Sequence, residues 1–327
     1  MGGRAQAGAA GPGAGRLSAD AGTAPAARGL AVALALAAVY VVWGSTYFGI
    51  AVGLEGYPPL LLAGIRFIVA GVLMYAGLRL AGHAAPTRPQ WRNAAVMGVC
   101  LLMLGNGLVC VAEQEVSSGL AAVAVASVPL WIGLFSAIRG VRMTRGEWLG
   151  LGIGFVGVVW LNAGSTLAAT PRGMVALLVA PVAWAFGSVW SRGRDLPAPF
   201  MTAAAQMLTG GALITAVALA IGERVVDVPP LRATVALGYL ALFGSIVAFS
   251  AYVWLLHNVR PALAGSYAYV NPVIALALGA LFAGERFGAA DLGATAVILA
   301  GVVVINLVRA RPKRRAAAVP AAPGSAD

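Results

Sequence analysis

The stretch PALAGSYAYVNPVIALALGALFAGE, residues 261–285, decides the fold. It is apolar, long enough to cross a membrane, and carries Asn271 and Pro272 near its midpoint. A spanning helix needs about 20 apolar residues to cross about 30 Å of hydrocarbon. Proline has no N–H, so Pro272 leaves the carbonyl of Ala268 without its helical partner. Because lipid cannot satisfy that carbonyl, the stretch predicts a helix break that lies against protein or beside a cavity.

A second stretch has the same design. Residues 117–138 read SSGLAAVAVASVPLWIGLFSAI, with Pro129 at the centre and the carbonyl of Val125 left without a partner. Pro129 and Pro272 are 143 residues apart (272 − 129), and the same offset relates other short strings of the chain. It matches Gly44-Ser45 to Gly187-Ser188 and Leu149-Gly150 to Leu292-Gly293. The offset predicts that the chain consists of two related halves.

The composition requires lipid as the solvent. Of the 327 residues, 60% are apolar and 10% are charged, whereas globular chains are about 45–50% apolar and about 25% charged. The pattern predicts an all-α membrane protein with ten transmembrane helices, the spans lying at about 29–53, 58–80, 93–113, 117–138, 146–163, 171–190, 198–221, 232–255, 261–283 and 287–308. Residues 1–28 and the basic tail 309–327 are predicted to be disordered.

The spans group into two five-helix repeats, residues 29–163 and 171–308. Since five is odd, the second repeat must enter the membrane inverted relative to the first, which is a transporter architecture with a site between the halves. The net charge of +11 would suggest nucleic-acid binding on a soluble protein, but the connectors leave no domain for it. Counting Lys and Arg gives 17 at one end of the spans and four at the other, which predicts both termini in the cytoplasm and a plasma (inner) membrane location.

Several strings resemble the EamA family of the drug/metabolite transporter superfamily. They are WGSTYF at 43–48, PPL at 58–60, GIRF at 64–67, GNG at 105–107, VAE at 111–113, AWAFGSV at 183–189 and SYAYVNP at 266–272. The resemblance covers about residues 30–308 and implies ten spans in two inverted repeats and export of small molecules. No cofactor is predicted. The chain departs from the family at Gln206, where a carboxylate is common, and this departure bears on ion coupling.

Three spans carry an aromatic and a polar side chain on one helix face. Residues four apart share a face, and small-molecule sites are mostly apolar and aromatic with a few polar groups. Adding an amide between two glycines of the third span, the predicted substrate-binding residues are Trp43, Tyr47, Asn106, Trp184, Ser188, Tyr267 and Asn271. The alternative is tight core packing with satisfied hydroxyls.

Arg66 and Glu113 are the predicted gating or coupling residues. Arg66 lies eight residues after Pro58, about 12 Å into the bilayer at helical rise. A charge at that depth costs at least about 2.5–3.5 kcal/mol and needs a partner, for which Glu113 at the end of the third span is the candidate. The pair would form an outer gate, or Arg66 would bind an anion; the alternative is an ion pair that only fixes helix packing.

Gly150, Gly154 and Gly157 predict close helix packing rather than a dinucleotide loop, because no strand precedes them. Gly293 and two alanines, Ala296 and Ala300, predict the same in the tenth span.

The function predicted from these features is a secondary transporter. It would export small metabolites, amino acids or drug-like compounds by alternating access, either as a proton antiporter or as an uncoupled facilitator or exchanger. A membrane-embedded enzyme is disfavoured because His83 and His257 lie in or beside connectors and no span holds an acid pair or an HExxH motif. The predicted partners are a small solute and the lipid bilayer, with no metal; a homodimer is compatible with the sequence.

Overall fold

The computed structural model describes residues 23–141, 143–164, 170–259 and 267–310, and these ranges contain helices and connectors but no strand. The helices are α1 (residues 23–53), α2 (Pro59–Leu80), α3 (Arg88–Ala112), α4 (Ser118–Ile138, interrupted), α5 (Arg145–Gly164), α6 (Pro171–Trp190), α7 (Pro199–Ala220), α8 (residues 231–258), α9 (Tyr267–Phe282) and α10 (Ala289–Ala310).

Eight of these helices are long and apolar enough to cross a membrane by length and composition, and Val270–Phe282 within α9 is a shorter apolar helix. The all-helical membrane class is therefore confirmed. The number of ten crossings and the inversion of the second half stay predictions. Residues 1–22 and 311–327 of the predicted disordered ends lie outside the described residues, as do residues 261–266 of the ninth predicted span.

Helix α1 begins at Thr23, six residues before the predicted start of the first span at residue 29, and the alanines that precede Arg28 favour helix.

The two most extensive helix–helix contacts are those of α2 with α7 and of α5 with α10. In each pair the two helices occupy corresponding positions in the two halves, as the 143-residue offset relates them. Glycine makes the second contact close, as predicted. A Cβ atom at Gly301 would lie 2.5 Å from the backbone nitrogen of Gly154, and one at Gly157 would lie 2.7 Å from that of Ile298. On the α10 side, Gly293 packs on the Trp160 ring of α5 as predicted, whereas Ala296 and Ala300 are exposed and do not lie in the seam.

The two central prolines act differently on their helices. In α4 the first segment ends at Val125 and the second begins at Val128, so Pro129 occupies the first turn of a new helix, where no N–H is needed. Pro272 instead lies inside the continuous helix α9. The predicted break at Pro272 is corrected to a proline within an unbroken helix, which membrane helices tolerate when neighbours cover the freed carbonyl.

Three helices contain π-helical segments: Ala38–Trp43 in α1, Gly98–Gly107 in α3 and Leu240–Val247 in α8. The segments of α3 and α8 overlap when the 143-residue offset is applied. A π segment widens the helix and leaves backbone groups in unusual positions, and it commonly occurs at functional sites.

The glycine seam gives a testable prediction. Gly301→Ala should lower the free energy of unfolding by about 1–3 kcal/mol, because the added methyl group meets the backbone of Gly154 and overpacks the seam. The thermal midpoint of the detergent-solubilised protein measures this loss. Gly152→Ala is the matched control, since nothing lies within 4 Å of its Cβ position. Equal midpoints for the two variants would contradict close packing of α5 on α10.

Candidate substrate cavity

A cavity of about 100 Å³ lies at the centre of the bundle, between helices of both halves. Six of the seven predicted substrate-binding residues line it: Trp43, Tyr47, Asn106, Trp184, Tyr267 and Asn271. Val125 and Ala268, whose carbonyls the two prolines set free, line it together with Pro129 and Pro272. Irregular backbone therefore borders the cavity, as expected for carbonyls that lipid cannot satisfy.

Ser188 is the predicted residue that does not line the cavity. Its hydroxyl donates to the carbonyl of Trp184, one turn earlier in α6, at 2.8 Å. Inside a helix, the hydroxyl of serine commonly finds its hydrogen-bond partner in the carbonyl four residues earlier. Spacing alone could not show that Ser188 points away from the cavity.

An aromatic group surrounds Trp43. The ring of Trp43 lies 5.2 Å from Tyr252 and 5.1 Å from Tyr267, centroid to centroid, and the second contact is edge to face. Its indole N–H donates to the carbonyl of Gly244 at 3.0 Å, inside the π segment of α8. Trp43 thus joins α1 to the irregular backbone of α8 while one side of its ring faces the cavity.

Polar groups on the lining are few and neutral except for one. The Oδ1 atom of Asn271 is buried and accepts no hydrogen bond within the described residues. Thr46, which the sequence analysis did not select, lines the cavity, and its hydroxyl donates to the carbonyl of Trp43. Arg66 is the charged residue among the described lining residues.

Arg66 is only 5% exposed. Its Nε donates to the hydroxyl of Ser245 at 2.9 Å, and that hydroxyl donates to the carbonyl of Leu240 at 3.1 Å. A side chain at Gly244 would crowd the guanidinium, since a Cβ there would lie 3.1 Å from Nη2. Sequence reasoning missed Ser245, because no pattern relates a serine of α8 to an arginine of α2.

Glu113 and Arg66 do not form the predicted pair in this conformation. Glu113 directly follows α3 and is 9% exposed, and neither carboxylate oxygen has a hydrogen-bond partner among the described residues. It does not line the cavity. The Nε of Arg66 donates to Ser245 of α8 instead. Whether the two residues gate transport stays a prediction.

Carboxylates tie the halves together at the predicted outer end, which holds connectors 54–58, 113–117, 221–230 and 283–288. Glu285 accepts the backbone N–H of Ser118 at 2.7 Å, the Ser118 hydroxyl at 2.8 Å and the N–H of Gly119 at 3.2 Å. These donors open α4, whose preceding residue, Ser117, provides no side-chain cap. The second half thus caps a helix of the first.

In two further contacts a glutamate of one half accepts backbone N–H groups at the start of a helix of the other half. Glu223 accepts the N–H groups of Leu60 and Leu61 at the start of α2, at 3.3 and 2.9 Å. Glu115 accepts the N–H of Gly173 at the start of α6, at 3.0 Å. We call Glu115, Glu223 and Glu285 the outer clasps. The sequence analysis missed them because their partners lie far away in the chain, and a negative charge at a helix N-terminus is favourable wherever it comes from.

The predicted inner end is also bridged. The Asn93 amide donates to the carbonyl of Asp195 at 2.9 Å, and the Gln90 amide donates to the Asp195 carboxylate at 2.9 Å. Arg139 donates to the carbonyl of Val189 at 2.6 Å. The cavity therefore lies between two bridged ends.

The geometry agrees with comparisons to known proteins. Two segments, residues 29–163 and 171–307, each match the EamA-like transporter family. The chain is 46% identical over 274 residues to "Uncharacterized inner membrane transporter YedA" of Escherichia coli (strain K12), covering 84% of this chain and 90% of that protein. It is 25% identical over 303 residues to "Probable amino-acid metabolite efflux pump" of Salmonella typhimurium, covering 85% and 95%.

Two further comparisons also cover most of the chain. "Protein PecM" of Dickeya dadantii is 26% identical over 281 residues, covering 84% of this chain and 92% of that protein. A solved structure described as "Crystal structure of protein" is similar in fold, with a TM-score of 0.61 and 22% identity over 87% of this chain and 99% of that one. Because the family model matches both halves and the match to YedA is extensive, the chain belongs to the EamA-like transporter family and is a membrane transporter rather than an enzyme.

Proposed function

We propose that this protein exports small metabolites, amino acids or drug-like compounds across the plasma membrane by alternating access. The observation that carries the proposal is the central cavity, which helices of both matched segments line and which lies between two bridged ends. Transporters of repeated architecture bind solute near the midplane between their halves. The predicted aromatic and amide residues on the lining would bind the solute.

The proposed architecture is ten crossings in two inverted five-helix repeats with both termini in the cytoplasm. Support comes from the connectors, which meet at alternate ends of the bundle: Glu223 and Glu285 contact the starts of α2 and α4 at one end. At the other end Asn93 donates to the carbonyl of Asp195, and Arg139 donates to the carbonyl of Val189. Pairing of α2 with α7 and of α5 with α10 also suits a pseudo-twofold relation between the halves.

The conformation suits a state with both ends bridged. The cavity of about 100 Å³ is smaller than ligand pockets, which usually measure about 300–1,000 Å³. Loading a solute therefore requires the helices around the cavity to move apart at one end. The outer clasps are the contacts that opening at the outer end would break, and the π segments of α3 and α8 supply backbone that can rearrange.

Uncoupled facilitation or exchange is the second candidate. The described residues that line the cavity include no aspartate or glutamate, and Gln206 stands where the family resemblance implies a carboxylate. In proton antiport a buried acid would have to take up and release a proton. Glu113 is the acid placed to do so, since it is buried beside the cavity helices without a hydrogen-bond partner among the described residues.

Efflux experiments test the proposal directly. Cells with and without the protein are compared for metabolite release and for tolerance to toxic analogues, beginning with amino-acid metabolites because the Salmonella relative carries that name. A solute found in this way is then loaded into vesicles that contain the purified protein. We expect loss of the solute to be faster than from empty vesicles. Equal loss for every solute that the cell screen identifies would overturn the proposal.

The outer clasps predict a shift in conformation. Glu285→Gln keeps the shape of the side chain but removes the charge that accepts three hydrogen bonds at the start of α4. Hydrogen bonds to charged groups contribute about 1.5–3 kcal/mol, so a net loss of about 1.4 kcal/mol would raise opening about tenfold. The labelling rate of a reporter cysteine at Ala126, in a chain with Cys100 and Cys110 replaced, measures it.

Glu55→Gln is the matched control. Glu55 also contacts the other half at this end, but through a surface ion pair with the exposed Arg232 rather than by capping a helix, and surface pairs contribute only about 0–1 kcal/mol. Its labelling rate should therefore stay close to that of the parent chain. A Glu285→Gln rate no higher than the control would remove this clasp from the gate.

Glu113→Gln separates the two coupling alternatives. If Glu113 carries the coupled proton, the isosteric amide abolishes the pH dependence of transport, because it cannot exchange a proton in this range. Solute flux in vesicles with and without a pH gradient measures this, with Glu55→Gln again as the control. We expect both the rate and its pH dependence to change. Wild-type values for both would exclude Glu113 and leave the uncoupled facilitator or exchanger.

A further inference from the structure

We propose that the cavity selects organic carboxylates that have an aromatic or apolar body and carry no ammonium group, and that Arg66 binds their carboxylate. The inference rests on the proposed transport function and names the substrate class of the same cavity. It starts from an imbalance of charge. Among the described residues that line the cavity, Arg66 is charged and none is acidic.

The cation of Arg66 has only neutral neighbours within hydrogen-bonding distance in the described part of the chain. Nε donates to the Ser245 hydroxyl, and the guanidinium carbon lies 4.9 Å from the centre of the Phe67 ring. The described residues contain one ion pair within 4.0 Å, between Arg232 and Glu55, and Arg66 is not in it. A buried cation without a counter-charge is costly, so the site is electrostatically incomplete without an anion.

The shape of the guanidinium favours a carboxylate as that anion. Arginine presents its N–H groups in a planar fork that matches the two oxygens of a carboxylate. Since the Nε–H is occupied by Ser245, the terminal nitrogens remain to meet a ligand from the cavity. Because Gly244 has no side chain, the terminal nitrogen Nη2 of Arg66 has room beside α8.

The rest of the lining is suited to an uncharged body. Tyr47, Trp184 and Tyr267 offer aromatic surface, and Asn271 offers a buried oxygen that lacks a donor. That oxygen can accept from a hydroxyl or a neutral N–H. Aromatic faces attract an ammonium, but the described lining provides no carboxylate to pair with it, and Arg66 would repel it.

Glu113 does not take the place of the anion in this conformation. Its oxygens have no hydrogen-bond partner among the described residues, and it lies outside the cavity lining, after the helix that carries Asn106. A solute carboxylate would therefore not compete with Glu113 for the guanidinium here.

Four probes that share a phenyl ring test the inference: phenylacetate, phenylacetamide, phenethylamine and phenylalanine, which are an anion, a neutral molecule, a cation and a zwitterion. Binding to the purified wild-type protein in lipid nanodiscs is measured by tryptophan fluorescence and by the shift of the thermal midpoint. We expect phenylacetate to bind at least about tenfold more tightly than each of the others. Equal or tighter binding of phenethylamine or phenylalanine, or binding of none of the four, would overturn the inference.

Substitutions of Arg66 test whether this residue binds the carboxylate. Arg66→Gln should remove the preference for phenylacetate over phenylacetamide, and Arg66→Lys should keep part of it, because the charge remains while the fork is lost. Arg194→Gln is the matched control, since Arg194 lies on the Trp190 ring in the connector after α6 and outside the cavity. Unchanged phenylacetate binding in Arg66→Gln overturns the role of Arg66. If that variant does not fold, the Arg66→Lys comparison and the wild-type panel decide.

Failure of this inference differs from failure of the transport proposal. Carrier-dependent flux of a cationic or neutral solute in vesicles would leave the transporter in place and overturn carboxylate selection. Selective binding of phenylacetate with no flux of any solute would support the anion site and overturn transport.

Discussion

The structure depends on the need to satisfy every backbone N–H and C=O group away from water. Lipid offers no hydrogen bonds, so irregular backbone can exist only where protein or a cavity covers it. The interruption of α4 and the proline of α9 both lie on the cavity lining. At the outer end the same requirement is met across the halves, because Glu285 supplies the acceptor that the start of α4 lacks.

A single buried charge organises the polar part of the cavity. Arg66 donates to the hydroxyl of Ser245 in α8, and that hydroxyl donates to a carbonyl of the π segment. Trp43 donates to another carbonyl of the same segment, that of Gly244. The irregular backbone of α8 is thus fixed by side chains from α1 and α2 that also line the cavity. Any solute that contacts Trp43 or Arg66 therefore acts on groups that hold α8 in place, which links occupancy to helix conformation.

Local patterns predicted much of this arrangement, and long-range contacts were out of their reach. The apolar runs and the proline at residue 129 predicted the helices and the interrupted α4, and four-residue spacing placed Trp43, Tyr47 and Tyr267 on the lining. The partner of Arg66 was predicted to be an acid because a buried charge usually has one, yet the nearest hydrogen bond is to a hydroxyl 179 residues away. Clasps at Glu115, Glu223 and Glu285 carry no local signature, since charged residues in connectors usually face water.

Cross-linking of the two ends tests the central claim most directly. At the outer end the side-chain oxygens of Tyr57 and Thr234 lie 3.1 Å apart, and at the inner end Asn93 contacts Asp195 across the halves. Cysteines are placed at each pair in turn and joined by a reducible bifunctional thiol reagent in vesicles that contain a transported solute. The account predicts that joining either end alone stops transport and that reduction restores it. Undiminished transport with one end joined would contradict a cavity that opens alternately between two halves.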